Sequence, residues 1–291
     1  MVKTFFKLLL SVIVYTVVFM IANAVMPFSQ GFRELNASGN PMGLLFLLID
    51  GVWICFTIYY IIKHTHFSGI KLFLNILFVL FFVQCFMTQI ETLFFGQAFT
   101  VLTKSDILCI MFAGLFPLLA TTPLLIKFFQ NKTETVECEK LNIKSIVLKL
   151  GIIGIIYLTV YMLFGYFVAW QFEELRVFYS GSSEKLSFWG QMVNIAHTNP
   201  VSFPFQILRG ILFGTFIIPL ISMVNKSKIA FITSVCLVYL CTAIVLIIPN
   251  VLFPDTVRLA HLIEMTSSML LFGIIVGFIF WGNDKRQIES Q

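Results

Sequence analysis

Charge is what this sequence has least of. Asp, Glu, Lys and Arg make up 11% of its 291 residues, against roughly 25% in a typical soluble domain. Hydrophobic residues make up 59%, and Phe alone occurs 34 times. A water-soluble globule of this length has no way to cover its surface with so few polar groups. Soluble enzymes, disordered chains and collagen-like fibres are therefore excluded. No C-x-x-C joins any two of the six cysteines, which argues against redox and zinc-ribbon chemistry. A Walker motif is missing, so the chain does not drive itself with ATP. G-x-S-x-G and H-E-x-x-H are missing as well.

What the sequence does have is long apolar runs. Eight stretches, at 5–26, 43–63, 70–95, 106–128, 145–172, 204–224, 229–249 and 258–281, reach the ~20 residues that a membrane helix needs. They are continuous rather than alternating, which points to helices and not to barrel strands. The expected fold class is all-α: a polytopic membrane helix bundle of about eight spans.

The basic residues set a direction. With the N-terminus inside, Lys3, Lys7, Lys63, Lys71, Lys127 and eight others, thirteen of the 19 in all, fall on the inner side. Five of the 14 acids join them. The inner side then carries a net charge of +8 and the outer side −3. The expectation is a multi-pass protein of the cell (inner) membrane with both termini cytoplasmic. The overall +5 is a topology signal, so no nucleic-acid partner is expected. The first span begins after Lys3 and Lys7 and ends in Ala22-Asn23-Ala24, the outline of a cleavable leader. We read it as retained, because it has a counterpart in the second half of the chain.

That counterpart comes from a faint repeat. The hydrophilic stretch 129–144 divides the spans into 1–128 and 145–291. At an offset of 142, Lys7, Tyr15, Val18 and Met20 match Lys149, Tyr157, Val160 and Met162. Near an offset of 159, Phe46, Gly51 and Leu93 match Phe205, Gly210 and Leu252. In this register Asp50 pairs with Arg209, and Glu91 with Asn250. With an even number of spans per half, the halves would be related by a twofold axis along the membrane normal. The longest outer loop, 173–203, holds an amphipathic segment at 184–196 with Leu186, Trp189, Val193 and Ile195 mostly on one side. It reads as a helix in the outer interface with Trp189 at headgroup level, or equally as a lid on the bundle.

Ionisable residues inside spans are costly and usually face the bundle interior. Asp50 lies ~10 Å deep, and Glu91, Arg209, His261 and Glu264 lie ~5–10 Å deep, at 1.5 Å per residue. Helical spacing groups them into stripes: Gln84, Thr88 and Glu91; Gln206 and Arg209; Arg258, His261, Glu264 and Ser268. The expected site is one outer-facing polar pocket of Asp50, Glu91, Arg209, His261 and Glu264. Within it Asp50 and Arg209 form a breakable ion pair, Glu264 with His261 handles a proton or cation, and Arg258 snorkels to the surface.

His261 and Glu264 are also weak metal candidates, with Glu91 or His197 as a third ligand; a usable site needs three or four. No metal and no cofactor are expected. The His64-x-His66 pair is read as part of a basic loop. Gly210-x-x-x-Gly214 and Gly273-x-x-x-Gly277 suggest close helix contacts, here expected between the sixth and eighth spans. Pro117, Pro123 and Pro219 suggest kinks or hinges. Asn36-Ala37-Ser38 forms a sequon. Glu173-Glu174-Leu175-Arg176 is similar to the EExxxR of CAAX-type membrane proteases, but position 178 is Phe where that motif has Arg. The histidine motifs of that family are not evident either, and no family is assigned.

Three functions are compatible with these features. The first is a permease-like protein with a pocket for a proton, a cation or a small polar solute, the outer charge favouring a cation. The second is a membrane-embedded enzyme acting on a lipid-linked or extracytoplasmic substrate. The third is an assembly or sensory partner whose buried charges only pair helices. Expected partners are the lipid bilayer, a small solute or proton, and a membrane protein or second copy of the chain.

Overall fold

A long apolar run leaves its backbone no hydrogen-bond partner in lipid except itself, so it must be helical. The computed structural model describes residues 2–36, 40–96, 99, 102–130, 142–224, 227–250 and 252–284. Among them there are helices and no strand. Eight are long and apolar enough to cross a membrane: α1 (Val2–Val25), α2 (Gly43–His64), α3 (Gly69–Phe94), α4 (Lys104–Phe129), α5 (Ile143–Gln171), α6 (Ser202–Met223), α7 (Lys228–Ile247) and α8 (Asp255–Trp281). The protein is a multi-pass membrane helix bundle. Most of the connection at 129–144, with Cys138, lies outside the described residues, as do two of the three sequon positions, Ala37 and Ser38.

The helices pack in an order that repeats. In the first half α1 packs on α2 and α4, and α3 on α4. In the second, α5 packs on α6 and α8, and α7 on α8. Between them, α2 lies on α7 and α3 on α6, while α3 and α7 touch at the centre. Exchanging α1–α4 for α5–α8 leaves all these pairings unchanged. The contacts between α2 and α4 and between α6 and α7 break the rule. Among the described residues α6 and α8 make no comparable contact, and are bridged by the rings of Tyr157, Phe213 and Phe272 at 5.0–6.1 Å.

The small-residue motifs therefore serve different partners from those expected. A Cβ on Gly210 would come within 2.5 Å of Tyr157 Cβ and 2.8 Å of Gly154 Cα, so this motif seats α6 on α5. A Cβ on Gly273 would meet Cys236 Cα at 3.1 Å, and one on Gly277 would meet Ile232 at 2.9 Å, which seats α8 on α7. Small residues let these sequence neighbours close up.

Two prolines bend their helices. Pro117 has no N–H to offer the Ala113 carbonyl, and α4 breaks at Gly114. Pro219 likewise has no N–H for the Thr215 carbonyl, which accepts from Ile217 N instead, and α6 breaks at Ile217. Pro123 sits inside an unbroken stretch, Leu115–Phe129. The central irregularity carries no proline: α3 widens into a π-helix over Phe81–Phe86. The α4 break faces it, since a Cβ on Gly114 would lie 2.6 Å from Cys85 Sγ. The α6 break faces it too, with Phe216 stacked on Phe82 at 4.7 Å.

The two ends of the bundle differ. At the end bearing the termini, Lys7 Nζ donates to Phe128 O at 3.1 Å and Lys63 Nζ to Phe129 O at 3.3 Å, capping α4. At the other end, Asp106 accepts from Ser29 N and Oγ at 2.7 Å, and from Thr103 N and Oγ1 at 3.0 and 2.7 Å. This buried carboxylate clasps the α1 exit to the start of α4. Three short helices lie at that end: Gln30–Asn36, Glu173–Ser180 and Phe188–Thr198.

Candidate functional site: two buried polar centres

Arg209 is the largest fully buried polar side chain, 1% exposed on the inner face of α6. An arginine there needs an anion, and α3 supplies one. Nη1 and Nη2 donate to Glu91 Oε1 and Oε2 at 2.7 and 2.6 Å, a bidentate pair. Nη1 also donates to Gln206 Oε1 at 3.0 Å. The guanidinium carbon stands 5.5 Å from the Tyr157 ring. Two buried donors have no partner, Arg209 Nε and Gln206 Nε2. The Glu91 side chain is 27% exposed, so the pair has one open edge.

The second part of this centre is on α8. His261 Nδ1 and Glu264 Oε2 are 3.1 Å apart, and His261 Nε2 is 3.0 Å from the Tyr179 hydroxyl. With Nδ1–H donated to the carboxylate, Nε2 accepts from Tyr179; the tautomer follows from these partners. Burial, then the charges of Glu91 and Glu264, push Tyr179 above the usual phenol range, so it stays a neutral hydroxyl. Tyr179 belongs to the Glu173–Ser180 helix, which packs on the start of α8 through Leu175, Val257 and Ala260. Tyr157 and Tyr161 of α5 feel Glu91, Arg209 and Glu264 together. Glu91, Arg209 and Glu264 thus lie near one pair of tyrosines, and His261 joins them through Glu264.

Asp50 is not among them. The expected Asp50–Arg209 pair does not form, because each faces a different neighbour. Asp50 is fully buried between α1 and α2, and Oδ2 accepts from Tyr15 Oη at 2.9 Å. The side chain of Gln84 sits beside the same hydroxyl. Gln84 and Glu91 were expected on one stripe. The π-helix adds a residue to the turn between them, which rotates the helix face. Gln84 consequently faces Asp50, and Glu91 faces Arg209.

Other expectations change as well. Arg258 does not snorkel into solvent. Its Nη1 donates to Leu246 O and Ile247 O at 2.9 Å, capping the end of α7, and Nη2 pairs with Asp255. Arg176 is buried on the carbonyls of Ser183, Trp170 and Gln171, while Glu173 and Glu174 are exposed. The protease-like run is therefore a loop brace. Among the described residues no three His, Cys, Asp or Glu side chains are grouped to hold a metal. His261 spends both ring nitrogens on Tyr179 and Glu264, and His197 is exposed on the Phe188–Thr198 helix. That helix has no buried residue, and Trp189 is 76% exposed. The outer segment packed on the bundle is instead Glu173–Ser180, where Tyr179 had no sequence signal of its own.

The fold and these centres define a polytopic membrane protein with ionisable side chains in its interior. Comparison with family models, curated proteins and solved structures gives no match.

Proposed function

We propose that this protein is a permease-like carrier of the cell membrane that moves a small polar solute together with a proton. The observation that carries the reading is the chain Tyr179–His261–Glu264 beside the Glu91–Arg209 pair. It leads from a partly exposed surface helix to a carboxyl group that is 5% exposed. Alternating partners at each link are what a proton relay needs. The unmet groups of the same centre, Arg209 Nε and Gln206 Nε2, are donors. A solute offering a carbonyl or carboxylate oxygen fits them better than a bare cation, despite the negative outer charge. Glu91 would release Arg209 as that oxygen arrives. The positive-inside charge distribution supports cytoplasmic termini and a site opening outward.

The test is uptake into proteoliposomes loaded with a pH-sensitive dye and offered small amino acids, amines and sugars in turn. Solute-dependent proton entry is expected for the wild type and its abolition for Glu264→Gln, with folding intact. An unchanged signal in that variant, or none from the wild type with any of these solutes, ends the proposal.

One observation favours an enzyme as the second reading. A histidine held by a carboxylate on one nitrogen and a hydroxyl on the other is also how acid–base catalysts are fixed. An enzyme would lose turnover of its substrate with His261→Ala while moving no solute.

A further inference from the structure

The Asp50 centre repeats the Arg209 centre in the other half of the bundle. Tyr15 and Tyr157 occupy matching places on α1 and α5. Asp50-Gly51 and Arg209-Gly210 occupy matching places on α2 and α6. The packing matches as well: a Cβ on Gly51 would touch Tyr15 Cδ1 at 3.0 Å, as one on Gly210 would touch Tyr157 Cβ. In each half a glycine lets the tyrosine approach the polar residue beside it.

The hydrogen-bond deficits are opposite. Around Arg209 the unpaired atoms are donors. Around Asp50 they are two acceptors, Asp50 Oδ1 and Gln84 Oε1, and the Thr16 hydroxyl, which can accept or donate, on residues no more than 7% exposed. The titratable groups facing Asp50 are Tyr15 of α1, Cys55 of α2, Cys85 of α3 and Cys241 of α7. None of these neighbours is basic. The position matching Glu91 in the second half is Asn250, which brings no charge. A buried carboxylate without a counter-charge is strongly disfavoured, and here Tyr15 meets Oδ2 while Oδ1 has no donor.

We infer that Asp50, with Tyr15, Thr16 and Gln84, is a second proton-binding site, which takes up and releases a proton inside the membrane. A proton on Oδ1 removes the charge and supplies the missing donor. Tyr15, donating to Oδ2, supports the carboxylate once the proton leaves, so neither form is trapped. The π-helix that carries Gln84 abuts the α4 break through Cys85 and Gly114, and two irregular segments give the site room to rearrange. The inference does not rest on the transport reading.

Infrared titration of the purified full chain in detergent tests it without any solute. The wild type is expected to show a carboxylic-acid C=O band that fades as the pH is raised. Asp50→Asn, isosteric and neutral, should lose that band, while Glu264→Gln should keep it. Tyr15→Phe should retain the band and move its midpoint to higher pH. An Asp50-dependent band constant at all pH values would make the proton permanent and overturn the site. A wild type without such a band would overturn it too. Either result leaves the uptake test of Glu264 unaffected, and a failed uptake test leaves the band unaffected.

Discussion

At the scale of single residues, the bundle sorts its ionisable groups by what each can find to pair with. Arg209 is tolerated because Glu91 meets both its terminal nitrogens and Tyr157 covers its face. Removing one member of such a buried pair strands the other. Arg209 is the deeper of the two, so Glu91→Ala should be severe, costing about 3 kcal/mol. Replacing both charges, in Glu91→Gln/Arg209→Met, should cost clearly less than the sum of the single changes. Thermal unfolding of the wild type, Glu91→Gln, Arg209→Met and the double variant in one detergent measures the coupling, and additive losses would show that the pair is not the unit described here. Asp106 follows the same logic with hydrogen bonds in place of a counter-charge. Asp50 has one partner, Tyr15, and for that reason stands apart.

At the scale of the helix, the irregular segments decide which residues meet. The stripes of α6 and α8 were legible from spacing, because Gln206 with Arg209 and His261 with Glu264 lie on uninterrupted turns. The stripe of α3 was misread, because the π-helix at Phe81–Phe86 has no marker such as proline in the sequence. Glycine acts at this scale too. A methyl group at Gly210 meets the Cβ of Tyr157 and the Cα of Gly154, neither of which can turn aside. At Gly51 it meets only side-chain atoms, Tyr15 Cδ1 at 3.0 Å and Thr16 Oγ1 and Val12 Cγ1 at 3.5 Å. Gly210→Ala should therefore cost about 1–3 kcal/mol by overpacking, and Gly51→Ala should cost less. Comparison of their melting temperatures checks the order. Equal losses would mean that α5 and α6 are free to separate.

At the scale of the whole molecule, the termini and the polar centres lie toward opposite ends, with the short helices 173–180 and 188–198 beyond the second. Helix Phe188–Thr198 is anchored by Phe188, stacked on Phe167 at 5.4 Å, and turns Trp189 and Val193 outward. On a soluble protein that face would be a liability; beside a bilayer it belongs in the headgroup layer. Trp189 fluorescence, isolated as the difference between wild type and Trp189→Phe, should be quenched by lipids labelled near the headgroup. Quenching by a water-soluble agent alone would place the helix in solvent.

The number of spans, their approximate limits and the all-helical class were set by the sequence alone. Each follows from local composition, since an apolar stretch of membrane length has one way to satisfy its own backbone. Which polar residue faces which could not be set that way. Asp50 and Arg209 have opposite charges at similar depth, yet they belong to different centres. Pairing depends on the rotation of each helix and on the order in which helices pack, and both hang on features with no local signature. Those features are the π-helix of α3 and the gap between α6 and α8 filled by aromatic rings; the glycine motifs of α6 and α8 are visible in the sequence, but not that they seat on α5 and α7.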